Sequence, residues 1–181
     1  MLGLWANVAR QLGCELARAG VVVAVSGLAR GIDGEAHQGA LTGGGPTVAV
    51  LGGGLDRICP SAHTKLSHQI AQQGALVSEY ALGTVPAPWR FPARNRIVAD
   101  LSQAVVVVGA GAKSGAVITA DLALEEGREV LAVPGEITSS LSAGTHALLQ
   151  QGAAHPAAGC CAPHLPAGRP RSPQPRSAAG R

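Results

Sequence analysis

No apolar run in the 181-residue sequence approaches membrane-spanning length: the longest, at 21–25 and 104–108, fall far short of the roughly 20 residues a transmembrane helix needs. Nor does the chain open with the basic, apolar and small-residue succession of a secretory leader. Arg10 is its first basic residue, and Asn7 interrupts the only early apolar stretch. A soluble protein with a cytoplasmic address is expected. Cysteine is scarce, and Cys14, Cys59, Cys160 and Cys161 form neither a CxxC pair nor zinc-ligand spacing. That excludes a disulfide miniprotein and points to a reduced compartment without a metal site. With 46% hydrophobic and only 14% charged residues, the composition also excludes a coiled coil and a mucin-like stalk. The formal charge of +3 says little about partners, because Arg169, Arg171, Arg176 and Arg181 lie beyond position 155, where no acidic residue follows. The remainder of the chain is close to neutral, so any anion site must be built locally.

What is present is a repeating alternation. Leu4, Val8, Leu12 and Leu16 recur every four positions, predicting an amphipathic helix over 2–19 closed by Gly20. Strands are predicted at 21–25, 47–51, 75–79, 104–108 and 129–133, and helices at 36–41, 64–73, 94–101 and 115–126. Glycine-rich loops separate them. Strands that read as continuous Val, Ala and Leu runs are buried on both faces, as in a parallel sheet covered by helices. The expectation is a doubly wound, mostly parallel α/β sheet in three αβα layers over residues 1–152. From 153 to 181 Pro, Ala, Gly, Arg and Ser dominate, predicting a disordered tail.

Open α/β sheets bind ligands at the carboxyl ends of their strands. After the first strand comes SGLARGID at 26–33, in which Ser26 offers a hydroxyl, Gly27 and Gly31 allow close backbone approach, and Arg30 offers a forked cation for phosphate. Asp33 reads as the cap of the next helix. The glycines at 52–54 lack the spacing of a dinucleotide fingerprint, and GAGAKS at 109–114 lacks that of a P-loop, which excludes ATP hydrolysis by that route. Ser114, Gly115 and Thr119 open a helix, either as an anion-friendly terminus or as an ordinary hydroxyl cap. Of four aromatic residues, Tyr80, Trp89 and Phe91 crowd beside Arg90, Arg94 and Arg96, a grouping that suits unstacked bases; the plainer alternative is that the rings anchor a proline-rich loop. His37, His63, His68 and His146 have no motif-spaced partner, and Glu79 is the one acid at a strand's carboxyl end that invites suspicion of catalysis.

Taken in order, SGLARGID with AHQGAL at 26–41, TVAVLGGGLD at 47–56, SEY at 78–80, FPARNRIVADLS at 91–102, KSGAVITADLALEEGREVLAVPG at 113–135 and GTHALLQQGA at 144–153 resemble the DprA/Smf family of bacterial DNA-processing proteins. The resemblance implies an extended Rossmann-type domain that binds single-stranded DNA during natural transformation, protects it, helps load the RecA recombinase, forms a homodimer and has no enzymatic turnover or cofactor. By motif position it places nucleic-acid binding on Ser26, Gly27, Arg30, Gly31, Asp33, Lys65, Arg94, Asn95, Arg96, Ser114, Gly115 and Thr119, with the family's RNR motif on 94–96 lining a phosphate pocket. There are departures. Members begin with a further strand and a Gly-Ser-Arg turn, so the chain is expected to be an N-terminally truncated or minimal form, without a winged-helix pattern or an N-terminal helical module. Cys59-Pro60 stands where the family has Tyr-Pro, and Gly109 where an acid is expected. The alternatives are a Rossmann-like nucleoside monophosphate phosphoribohydrolase, whose PGGxGTxxE string is absent, and a nucleotide-sensing domain.

Overall fold

The computed structural model describes residues 2–20 and 24–156. The start of the first expected strand, residues 21–23, and the tail from 157, with Cys160 and Cys161, lie outside the described residues. The elements are α1 (Leu2–Arg18), β1 (Ala24–Ser26), α2 (Ile32–Thr42), β2 (Thr47–Val50), a 3-10 turn (Ser61–His63), α3 (Thr64–Gln73), β3 (Ala75–Val77), α4 (Arg90–Leu101), β4 (Ala104–Val107), α5 (Gly115–Glu125), β5 (Glu129–Ala132) and α6 (Ala143–Gln150). No helix among the described residues is long and apolar enough to cross a membrane.

The named strand pairs are all parallel, as continuous apolar strands require when helices cover both faces. Val25 pairs with Val48 and Val48 with Ala75 in the ladder β1-β2-β3, and Val106 pairs with Leu131 in the ladder β4-β5. Alternation along β4 divides the core. Val105 and Val107 pack with Ala99 of α4, Ala120 and Ala123 of α5 and Leu148 of α6, whereas Val106 and Val108 pack with Trp5 and Ala9 of α1. In the other ladder Ala49 packs, together with Leu51, against Leu66 and Ile70 of α3. The fold is therefore a three-layer, Rossmann-like αβα sandwich. Backbone pairing continues past residue 152, where Ala154 bridges Leu131.

Three expectations are corrected. The buried face of α1 is centred beside the expected stripe: Leu4 is exposed and Trp5 and Ala9 are inside, while Val8 and Leu12 of that stripe are partly buried against the same cluster. The indole fills the space left at Gly109 and Gly135, where a Cβ would fall against its ring atoms. Helix α4 starts at Arg90 rather than 94, because Pro92 falls in the first turn, where a missing N–H breaks no helical bond. Helix α6 has no counterpart in the sequence reading; its buried positions, Gly144, Thr145 and Leu148, make a stripe too short to stand out.

Helices α1 and α2 cross at backbone contact. A Cβ on Gly13 would lie 2.5 Å from the Ala36 carbonyl oxygen, and one on Gly39 would run into the Arg10 carbonyl, while Arg10 Nε pairs with Glu35 at 3.0 Å across the crossing. Gly39→Ala should therefore lower unfolding free energy by about 1–2 kcal/mol, the overpacking cost outweighing the helix-propensity gain. Gly3→Ala, in open space on α1, should not. Urea denaturation of both variants checks this, and a more stable Gly39→Ala protein would contradict the close crossing.

Candidate functional site

The loop between β1 and α2 is held from three directions. Asp33 Oδ2 accepts the Gly27 N–H at 3.1 Å and the Ala29 N–H at 3.2 Å. His63 Nδ1 donates to the Leu28 carbonyl at 3.0 Å, and Arg94 Nη1 donates to the Gly27 carbonyl at 2.9 Å. Between these ties Leu28 takes φ 61°, a left-handed conformation that a branched side chain adopts only under constraint, with its side chain fully buried among Ala49, Leu51, Leu66 and Ile70. Gly31, at φ 86°, is the N-cap of α2. Asp33 is thus not the cap it was expected to be: it lies inside the first turn and reaches back to the loop amides. Its carboxylate already takes two N–H groups of the kind a phosphate would seek, while Arg30 remains exposed on the loop.

The three side chains of the RNR motif on α4 go to different partners. Arg94 is only 4% exposed, and besides Gly27 its Nη1 contacts the Val50 carbonyl at the end of β2. Burial pushes its pKa below the ordinary arginine value, with Asp33 and, to a lesser extent, Tyr80 acting the other way. A Cβ on Gly27 would sit 2.7 Å from the guanidinium carbon, so that glycine is required by the close approach. Asn95 Nδ2 donates to the Gly115 carbonyl at 3.1 Å. Arg96 pairs with Glu79, the acid suspected from the sequence.

Ser114 occupies the N-cap of α5, yet its hydroxyl makes no capping bond, and its Oγ is buried without a partner among the described residues. Thr119 Oγ1 donates to the Gly115 carbonyl at 3.1 Å, so that carbonyl serves both Asn95 and Thr119. Ser26 is part-buried at the end of β1, and Lys65 is exposed in the first turn of α3, on the same carboxyl-end side of the sheet. Lys113, exposed just before α5, shares that side. Around the aromatic loop, Phe91 packs against Gly52, as anchoring requires, but Trp89 remains 66% exposed.

Two histidines that spacing alone did not single out support the site. His63 reaches Leu28 across 35 positions of sequence, a tie with no local signature. His37 is fully buried, with Nδ1 2.7 Å from Thr47 Oγ1 and Nε2 without a partner among the described residues. Its pKa is lowered to about 4, chiefly by loss of solvent; Asp33 acts in the opposite direction, and His63 and Arg94 add to the lowering.

Comparison with known proteins bears on this architecture. The sequence pattern described as DNA recombination-mediator protein A matches residues 4–160. A putative DNA processing protein DprA from Mycobacterium tuberculosis is 54% identical over 147 residues, 81% of this chain, and the chain spans only 38% of that relative's length. The X-ray structure of DNA processing protein A from Streptococcus pneumoniae aligns with a TM-score of 0.77 at 44% identity, covering 84% of this chain and 53% of that one. The protein of the same name from Helicobacter pylori, described for its unique single-stranded DNA binding mode, aligns at 0.76 and 35% identity, covering 84% and 68%.

Two outcomes follow from the geometry. Arg94→Ala leaves the Gly27 and Val50 carbonyls without their buried donor and should cost on the order of 3 kcal/mol in urea unfolding, whereas Arg30→Ala should stay within about 0.5 kcal/mol. His37, with a folded pKa below its unfolded value, favours the folded state fully above pH 6.5, and that stability is lost as pH falls toward 4. Unfolding free energy should drop by about 2 kcal/mol from this group between pH 7 and 5. The drop should shrink in His37→Gln; an unchanged pH profile would exclude His37 as its source.

Proposed function

The chain belongs to the DNA recombination-mediator protein A family, and from that membership we propose that its core, residues 1–152, binds single-stranded DNA across the carboxyl ends of its strands. The observation that carries this reading is the distribution of charge around a fixed loop. Arg30, Lys65 and Lys113 are exposed on segments that follow β1, β2 and β4, where a phosphate backbone crossing the sheet would meet all three. Arg94, Asp33 and Gly27 act as positioning residues that keep the loop open. Arg96 lends part of its charge from its pair with Glu79, and Ser26, Gly31, Asn95, Ser114, Gly115 and Thr119 shape the floor.

No chemical turnover is assigned to the site. Supporting this, the acids nearest the loop are engaged: Asp33 with two backbone amides and Glu79 with Arg96. In the cell the protein would act in the cytoplasm, in keeping with free Cys14 and Cys59, as a homodimer that protects incoming DNA during transformation and assists its transfer to RecA. The family's description as a recombination mediator supports that role.

Fluorescence anisotropy of a labelled single-stranded oligonucleotide tests the reading. Binding should weaken steeply with salt and resist competition by duplex or mononucleotide, and Arg30→Ala should reduce the salt slope by about 0.7, the share of one phosphate contact on a single strand. No binding by folded protein would overturn the proposal. Release of free base from a nucleoside monophosphate, lost in Glu79→Gln, would install the phosphoribohydrolase alternative in its place.

A further inference from the structure

Trp89 is a large ring left in solvent at the start of α4, while the other tryptophan of the chain, Trp5, is 4% exposed and locked in the core. Its surroundings are built rather than loose. The Arg90 guanidinium lies 4.7 Å from the Trp89 ring centre and 5.0 Å from that of Tyr80, forming a Trp–Arg–Tyr stack. Arg90 Nη1 also donates to the Val85 carbonyl. The loop beneath is tied to its neighbour: Gly54 N–H donates to the Thr84 carbonyl at 2.9 Å, and Gly83 N–H to Asp56 Oδ1 at 2.8 Å. Phe91 against Gly52 fixes the first turn of α4 on the same loop.

The stack also has an address. Arg90 and Arg94 are four residues apart, so they share a face of α4 one turn from each other. Arg94 reaches under the loop after β1, and Arg90 holds Trp89 one turn nearer the helix start. An aromatic platform with a cation at its back therefore stands one helical turn from the arginine that supports the loop carrying Arg30.

Resting on the DNA-binding reading above, we propose that Trp89, backed by Arg90, is a stacking platform for one unpaired base of the strand whose phosphates meet Arg30 and its companion cations. A flat ring offered to solvent on a guanidinium suits any base, because every base has a π-face, and it gives affinity without sequence preference. Duplex DNA, whose bases are already stacked, gains nothing from it. The exposed side chains of Leu82 and Val85 nearby would suit a protein partner, but they lack the ring-and-cation chemistry centred on Trp89.

Intrinsic fluorescence and anisotropy together test this, using a base-bearing oligonucleotide and an abasic one of equal length. Saturation with the base-bearing strand should quench tryptophan emission, and the abasic strand should bind more weakly without quenching. Trp89→Phe should keep most of the affinity and lose the quench. Trp89→Ala should weaken binding of the base-bearing strand by about 5- to 150-fold, the worth of one stacked base, while leaving abasic binding and the salt slope unchanged. Wild-type protein that binds both strands equally without quenching overturns the platform alone. So does a Trp89→Ala variant that changes self-association in sedimentation but leaves DNA affinity intact. Wild-type protein that binds neither strand overturns the DNA-binding reading itself.

Discussion

A buried guanidinium organises the centre of this molecule. Arg94 enters from α4, passes beneath a glycine, and donates to backbone carbonyls at the ends of two adjacent strands. Removing such a cation from water is costly, and the cost is offset only because oxygens converge on it and Asp33 lies within electrostatic reach. Several features then follow as requirements. Residue 27 can carry no side chain and Leu28 takes a left-handed turn, while His37, held neutral chiefly by its burial, receives only a smaller push the same way from the guanidinium. The loop that results combines a local staple from Asp33 with long-range anchors from residues 63 and 94.

The second constraint is the close passage of α1 over α2 and the seating of Trp5. Glycines at 13 and 39 let the helix backbones touch, which brings the start of α1 over the carboxyl ends of β4 and β5. There the indole packs between Gly109 and Gly135. Small residues on one side and a single large ring on the other make a core with few aromatic residues close-packed. Gly109, odd as a departure from the family pattern, has this local explanation.

Much of the architecture was legible because it depends on short-range rules. Val-rich runs and the glycines after them located the strands, and the order of strand, loop and helix implied parallel pairing before any pairing was seen. The helix at 64–73 was legible to the residue. The centre of the buried face of α1 was only partly legible, because the repeat of Leu4, Val8, Leu12 and Leu16 competes with a tryptophan whose pocket is formed by residues more than a hundred positions away. At the site the loops were correctly located at the carboxyl ends of the strands, but side-chain direction was hidden. An arginine written in a motif looks the same whether it faces solvent, as Arg30 does, or is spent on carbonyls, as Arg94 is. Asp33 likewise has the composition of a helix cap and the geometry of a loop staple.

That staple has a kinetic meaning. An anion-binding loop whose amides wait for a ligand must be ordered by it, and the ordering delays capture. Here the Asp33 carboxylate, a built-in anion, already satisfies the loop from within. A loop tied in this way needs no ligand to order it, so on the proposed function encounter would be governed by diffusion and electrostatic steering rather than by loop closure. Release would likewise require no refolding of the loop. On the proposed function, a strand held by long cationic side chains over such a saddle would leave in small steps, one contact at a time.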